Sequence, residues 1–413
     1  MNLPTGTGGV ARVPALTGII VFLVLLLVLL LTILPVPVHA VTDLSPEPPA
    51  LFPAPVHAQP GEISYPFIAG SGMNGTLSRS YEVPVPPGNV TVSADADLAV
   101  YTGARNGTKF AVAPPGTTVE ALAPGYYTAF IADPRQDGFF ASLIGGLRTV
   151  RGSHGLSDDG YLGFVTDFVQ GLPYDVQADA DPETPARFPV ETFVDGTGSC
   201  EDKSLLLAGL LSREGYDVAL LFFVPEHHMA VGVRNRTVAG FMGTGYLYVE
   251  TTGPALIGAV PSRLGDSGGG NATAAGAIST PIVIRVGNGT KEYTDAGRVA
   301  EILADRNEAD RMIALLRPQV AGCVAGSGGG APGGNDGCNR TLVAEYDRYA
   351  RIHNYIVAHV FEQAGMLPGL SRVIGSGSGA GLYVPGCFSG TGQSLLSGPW
   401  QELWERFGAL GSD

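Results

Sequence analysis

The period of the apolar residues changes several times along this chain, and each change marks a boundary. Residues 18-GIIVFLVLLLVLLLTIL-34 are apolar but for one Thr, and Arg12 precedes them with no acid before Asp43. The run reaches the lower limit for a spanning helix and exceeds the usual core of a cleaved signal. This predicts a transmembrane anchor over 17–38, a short cytoplasmic N-terminus at 1–16 and export of the rest, by the positive-inside rule. Val38-His39-Ala40 offers a signal peptidase a small residue, so cleavage stays open. Residues 39–62 are proline-rich and read as a semi-rigid stalk.

From 63 to 135 short runs such as SYEVPVP, NVTVSADADLAVY, KFAVAP and YYTAFIA lie between Gly, Pro and Asn turns, which predicts a small antiparallel β module. Within 136–290 the pattern mixes. DDGYLGFVTDFVQGL sets Leu162, Val165, Phe168 and Val169 on one helical face, ending at Gly171 before Pro173. An irregular loop leads to a helix over 201–214, closed by Gly215. Strands are predicted at 217-DVALLFFV-224, 228-HMAVGVRN-235, 245-GYLYVETT-252 and 281-PIVIRVG-287. Residues 291–370 hold two amphipathic helices, 295–318 and 341–364, as a helical hairpin. The tail, 371–413, is Gly/Ser-rich and ends in PWQELWERFGAL, a short helix with Trp400, Trp404 and Phe407 on the side that docks on the protein.

Composition narrows the function. The net charge is −14 and the only lysines are Lys109, Lys203 and Lys291, a balance that argues against a nucleic-acid binder, which would carry a basic stripe. Asn74, Asn89, Asn106, Asn235, Asn271, Asn288 and Asn339 each begin an Asn-x-Thr sequon, which predicts surface positions on a glycosylated, exported chain. Cys323 and Cys338 bracket a Gly-rich loop, where a disulfide would contribute about 3 kcal/mol on the chain-entropy view. Cys200 and Cys387 are then candidate free thiols, although sequence does not fix connectivity.

Cys200 follows Gly196-Thr197-Gly198-Ser199 at a predicted helix start, where free N–H groups and the helix dipole favour a thiolate and an oxyanion. Glu201 and Asp202 in the same turn oppose that anion if close. Adjacent strand residues point to opposite faces, so His227 and His228 cannot both serve Cys200. His228 shares a face with Ala230 and Gly232, small enough for a helix N-terminus to approach, and is the expected base. Glu250, on the face of Tyr246 and Tyr248, is the acid expected to orient it. Cys200, Glu226, His227 and His228 are metal-ligand types without metal-site spacing, so neither metal nor cofactor is expected. Read this way, two possibilities stay open: a Cys-His-Glu triad, or a buried helix cysteine beside a turn histidine pair.

The order of Gly198-Ser199-Cys200-Glu201-Asp202, His228-Met229-Ala230-Val231 and Glu250-Thr251-Thr252, with FVQGLPYDV and FPVETFVDG upstream, resembles the transglutaminase-like superfamily of papain-fold cysteine enzymes. The resemblance covers about 156–290, roughly a third of the chain. It implies an α+β papain-like core with Cys200 as nucleophile, His228 as general base and acid, and Glu250 orienting the imidazole. Met229-Ala230 stands where members commonly carry His-x-Trp, and Glu250 where many have Asp. Gln170 and Tyr174 fall in the lead-in, read as a helix-end polar residue and a packed tyrosine, with a substrate-facing role as the alternative. The resulting expectation is a single-pass cell-membrane enzyme with its bulk extracellular. It would cleave amide bonds of surface proteins or peptides, bind no nucleic acid, and have an unspecified oligomeric state. The alternative is an inactive glycoprotein that uses the same fold to bind or to build.

Overall fold

A computed structural model describes residues 63–180, 184–261, 264, 278–326 and 340–375. In chain order its elements are β1 (Thr76–Val85), β2 (Gly88–Asp97), α1 (Leu98–Asn106), α2 (Val119–Ala132), α3 (Asp137–His154), α4 (Asp158–Gln170) and α5 (Val176–Ala180). Then come α6 (Pro189–Asp195), α7 (Cys200–Arg213), β3 (Val218–Phe223), β4 (His228–Arg234), β5 (Tyr246–Val249), β6 (Ile282–Arg285), α8 (Ala296–Gly326), α9 (Arg340–Ala358) and α10 (Leu367–Gly375). Short 3-10 turns join several of them.

The chain is α+β. β1 and β2 form a hairpin, and the other strands make an antiparallel sheet in the order β5-β4-β3-β6. Pairings Leu221↔Ala230 and Gly232↔Tyr248 set its register. Against this sheet lies α7, whose Leu205 to Leu211 stretch is buried on every side. A helix apolar all round has no solvent face to offer, so it becomes the centre of a core. Each of those leucines contributes about 2 kcal/mol over an exposed position. Met229, Val231 and Val233 of β4 join the same core as the α7 leucines, whereas Ala230 packs in a small separate cluster with Leu221, Phe223, Tyr248 and Leu264.

Residues 63–135 are not the β module that alternation predicts. Beyond the hairpin they form α1, capped by Asp97 onto the Ala99 amide, and α2, capped by Thr118 onto the Ala121 amide. In α2 the buried residues are Ala123, Tyr127, Phe130 and Ile131, a helical spacing that YYTAFIA hides within a strand-like composition. The segment also shares one core with the rest: Val83, Val92 and Ala94 belong with the residues of α4 and α7. Tyr81 donates to the Phe193 carbonyl and Arg79 Nε to the Val194 carbonyl at 2.8 Å, tying the hairpin to α6.

The expected cell-membrane localisation is corrected. Among the described residues no helix is long and apolar enough to cross a membrane. The 17–38 stretch on which that expectation rested lies outside the described residues, as do the 39–62 stalk and the helix expected near Trp400. Cys338 and Cys387 lie outside them too, and the Cys323 side chain is not described, so the Cys323–Cys338 disulfide also falls outside. Of the sequons, Asn74, Asn89, Asn106 and Asn288 are exposed, while Asn271 and Asn339 are outside the described residues. Asn235 departs from the surface expectation because it is buried, at 3% exposure. Its amide donates to the Tyr293 carbonyl at 2.6 Å, and its oxygen accepts from the Thr237 and Val238 amides.

Candidate active site

The turn before Cys200 is built to start a helix abruptly. Ser199 caps α7 by accepting from the Asp202 amide at 3.3 Å, and Asp202 returns the bond by accepting from the Ser199 amide at 3.0 Å. This reciprocal box satisfies two donors that a helix N-terminus otherwise leaves open. Asp202 also takes the Arg187 amide at 2.7 Å. Only glycine fits at 198, because a Cβ there would stand 2.8 Å from Asp202 Cβ. Glu201 accepts from the Tyr127 hydroxyl at 2.9 Å. Both acids flanking the thiol therefore have partners of their own.

Backbone groups of this turn are less free than the sequence suggests. The Gly198 amide donates to the Pro173 carbonyl at 3.3 Å, the Gly196 amide to the Thr192 carbonyl at 3.0 Å, and the Ser199 amide to Asp202. The expectation that these glycines hold an oxyanion is thus replaced. Cys200 is the first residue of α7, so its own amide has no carbonyl one turn back to bond.

Cys200, His228 and Glu250 come together. The Cys200 thiol lies beside the His228 ring, close enough to favour the ring's protonated form. It also points at the His227 carbonyl, 3.9 Å away, where His227 takes a left-handed φ of 49° in the turn before β4. His227 itself is exposed. His228 Nε2 lies 3.1 Å from the Tyr248 hydroxyl and 3.5 Å from Glu250 Oε2. Tyr248 donates to Glu250 Oε2 at 2.6 Å. The other carboxylate oxygen, Oε1, accepts from the Thr251 and Thr252 amides, each at 2.9 Å, and from the Thr252 hydroxyl at 2.8 Å. With Nε2 turned to Tyr248 and Glu250, Nδ1 is the ring nitrogen left for the thiol.

His228 meets Cys200 for a reason other than the one its small neighbours suggest. Ala230 packs away from the α7 core, and the space Gly232 leaves is filled by Tyr246, whose Cβ would stand 2.9 Å from an added Cβ. His228 is the first residue of β4, and its ring reaches the first residue of α7 there. The aromatic surroundings that Met229-Ala230 does not supply come from elsewhere. Phe223 and Phe241 lie 5.8 Å apart, ring centre to ring centre, and Tyr248 is 5.7 Å from Phe241.

Electrostatics follow from this closeness. Burial opposes an imidazolium at His228, but hydrogen bonds and charge from Cys200 and Glu250 outweigh it and hold the ring above its ordinary value. Burial likewise opposes a carboxylate at Glu250, and His228, Tyr248 and the Thr252 amide outweigh it, so Glu250 stays ionised well below the usual range.

Two residues hold the pieces in place, and their roles are absent from the sequence reading. Lys203, fully buried one turn after Cys200, donates to the carbonyls of Gln170 at 3.2 Å, Leu172 at 2.7 Å and Thr252 at 3.1 Å. Burial lowers it to about 7 against the charge of Glu250, yet three acceptors call for the three N–H groups only an ammonium has. Ser204 bonds the Met229 carbonyl at 3.1 Å and the Thr251 hydroxyl at 2.9 Å. Gln170 is a clamp too: it donates to the carbonyls of Glu250 at 2.8 Å and Ala255 at 3.2 Å, and accepts from the Ala255 amide at 3.1 Å. Tyr174 pairs through its backbone with Gly198. Among the described residues no group of three or more His, Cys, Asp or Glu could hold a metal ion.

Compared with known proteins, the chain matches no family model, no curated protein and no solved structure.

Proposed function

We propose that this chain is a thiol enzyme of the transglutaminase-like, papain-fold class that hydrolyses amide bonds in protein or peptide substrates. The observation that carries the reading is the meeting of a helix-start thiol, a buried imidazole and an ionised carboxylate at Cys200, His228 and Glu250. In the acylation step the thiol proton passes to His228, and the sulfur electron pair forms a C–S bond with the substrate carbonyl carbon. The carbonyl oxygen becomes an oxyanion beside the Cys200 amide and the N-terminus of α7. As the oxyanion collapses, the C–N bond breaks and His228 gives its proton to the departing amine. Water then attacks the thioester, with His228 taking its proton. The C–S bond breaks, the acid leaves and the thiol is restored. An amine in place of water would give transamidation.

One observation favours the second reading, an inactive fold used for binding: Cys200 is only 2% exposed. Iodoacetamide labelling of Cys200, followed by peptide mass spectrometry across pH, separates the two. The enzyme reading expects labelling that slows in His228→Ala, and turnover of peptides from a random library that disappears in Cys200→Ser. Labelling indifferent to His228 would sink it.

A further inference from the structure

The direct contact between His228 and Glu250 is a long one. At 3.5 Å it lies at the far end of hydrogen-bond range, whereas the two links through Tyr248, 3.1 and 2.6 Å, are ordinary bonds. We infer that Tyr248 is a positioning residue of the site, its hydroxyl standing between imidazole and carboxylate and fixing which ring nitrogen carries the proton. This rests on the thiol-enzyme reading above.

The direction of each bond follows from what the groups can do. Glu250 is ionised, so it only accepts, and its Oε1 is already filled by three donors. The Tyr248 proton must therefore point to Oε2. Burial and the neighbouring charge of Glu250 raise Tyr248 far above the ordinary phenol range, so that proton stays on at any working pH. A phenol whose one proton is committed can offer His228 only a lone pair, and Nε2 must then be the N–H. Whenever the ring is neutral, Nδ1 is then the bare nitrogen, left to exchange a proton with the thiol. Register places the bridge: Gly232↔Tyr248 sets Tyr248 on the sheet face of His228, and β5 ends at Val249 so that Glu250 turns back beneath its hydroxyl. Glu250 thus acts on the ring both directly, at 3.5 Å, and through the Tyr248 hydroxyl.

Two measurements test this. In full-length protein, Tyr248→Phe removes one oxygen and keeps the ring packing. It should slow iodoacetamide labelling of Cys200 at neutral pH by about tenfold or more, the worth of one hydrogen bond to a charged group, with the melting temperature near that of the parent. Ring ¹⁵N shifts recorded above about pH 10, where the ring is neutral, should show His228 of the unaltered protein protonated at Nε2, and in Tyr248→Phe part of that population should move to Nδ1. Labelling that slows in His228→Ala but stays within about twofold of the parent in Tyr248→Phe would overturn the bridge and leave the thiol-enzyme reading standing. Labelling unchanged in His228→Ala would overturn that reading, and the bridge with it. Should Tyr248→Phe fail to fold, the parent ring decides alone, and a proton on Nδ1 refutes the inference.

Discussion

Replacing Lys203 by Met keeps the length and apolar stem of the side chain and deletes only its charged head. The head sits at 0% exposure and bonds three backbone carbonyls, from Gln170, Leu172 and Thr252. Each carbonyl left without a donor costs about 1 to 3 kcal/mol. Against that, the variant no longer has to strip water from an ammonium, which returns part of the loss. A net destabilisation of about 3 kcal/mol follows. With an unfolding entropy of about 2 cal/mol/K per residue over the unit His57–Asp413, the melting temperature should drop by about 4 °C. Differential scanning calorimetry of the full chain reads this directly. Because the acceptors belong to the end of α4 and the segment after β5, the loss should be accompanied by faster proteolysis around Thr252. A Lys203→Met protein that melts within about one degree of the parent would show that the ammonium is not what joins these segments.

Gly198→Ala should destabilise by about 1 to 3 kcal/mol, since its Cβ would meet Asp202 Cβ at 2.8 Å and the capping box cannot give way cheaply; chemical denaturation reads it. Asn235 should carry no glycan in the folded protein although it begins a sequon, and Asn235→Ala should cost about 2 kcal/mol by leaving the Tyr293 carbonyl unpaired; an occupied Asn235 in glycopeptide mass spectrometry would refute the burial. Glu250 is held below its unfolded value, so its contribution is present above the ordinary carboxylate range and is lost as pH falls through the depressed one. Glu250→Gln should therefore flatten the acid limb of a stability–pH curve, and an unchanged limb would contradict the assignment.

The sheet and α7 were legible because each apolar run is bounded by turn residues: DVALLFFV and HMAVGVRN became β3 and β4 within a residue, and GYLYVETT became β5, which stops three residues short at Val249. α2 and α3 were not. Pro124 interrupts α2 and Gly145-Gly146 interrupt α3, so the helical spacing of Phe139, Phe140, Leu143, Leu147 and Val150 emerges only once they are seen buried together. At the site, His227 lies in the turn before β4, so strand alternation does not relate it to His228, and the small Ala230 packs away from α7. Tyr248 and Lys203 illustrate what a one-dimensional pattern lacks. A tyrosine in a strand and a lysine in a helix are ordinary residues until the register and three distant carbonyls give each a partner.

The segment that follows Glu250 is gripped from two sides, by Gln170 and by Gln363. Gln363 accepts from the Ile257 amide at 3.0 Å and donates to the Ala255 carbonyl at 3.3 Å, although its backbone takes a left-handed φ of 49° to do so. Its place in the chain gives this clamp a timetable. Gln363 leaves the ribosome 106 residues after Ile257, which at about 5 to 20 residues per second is a delay of roughly 5 to 20 seconds. For that interval the nascent chain holds its thiol, its imidazole and its carboxylate, but lacks the second clamp on the segment carrying Glu250. The second clamp on that segment therefore closes only once synthesis has passed Gln363.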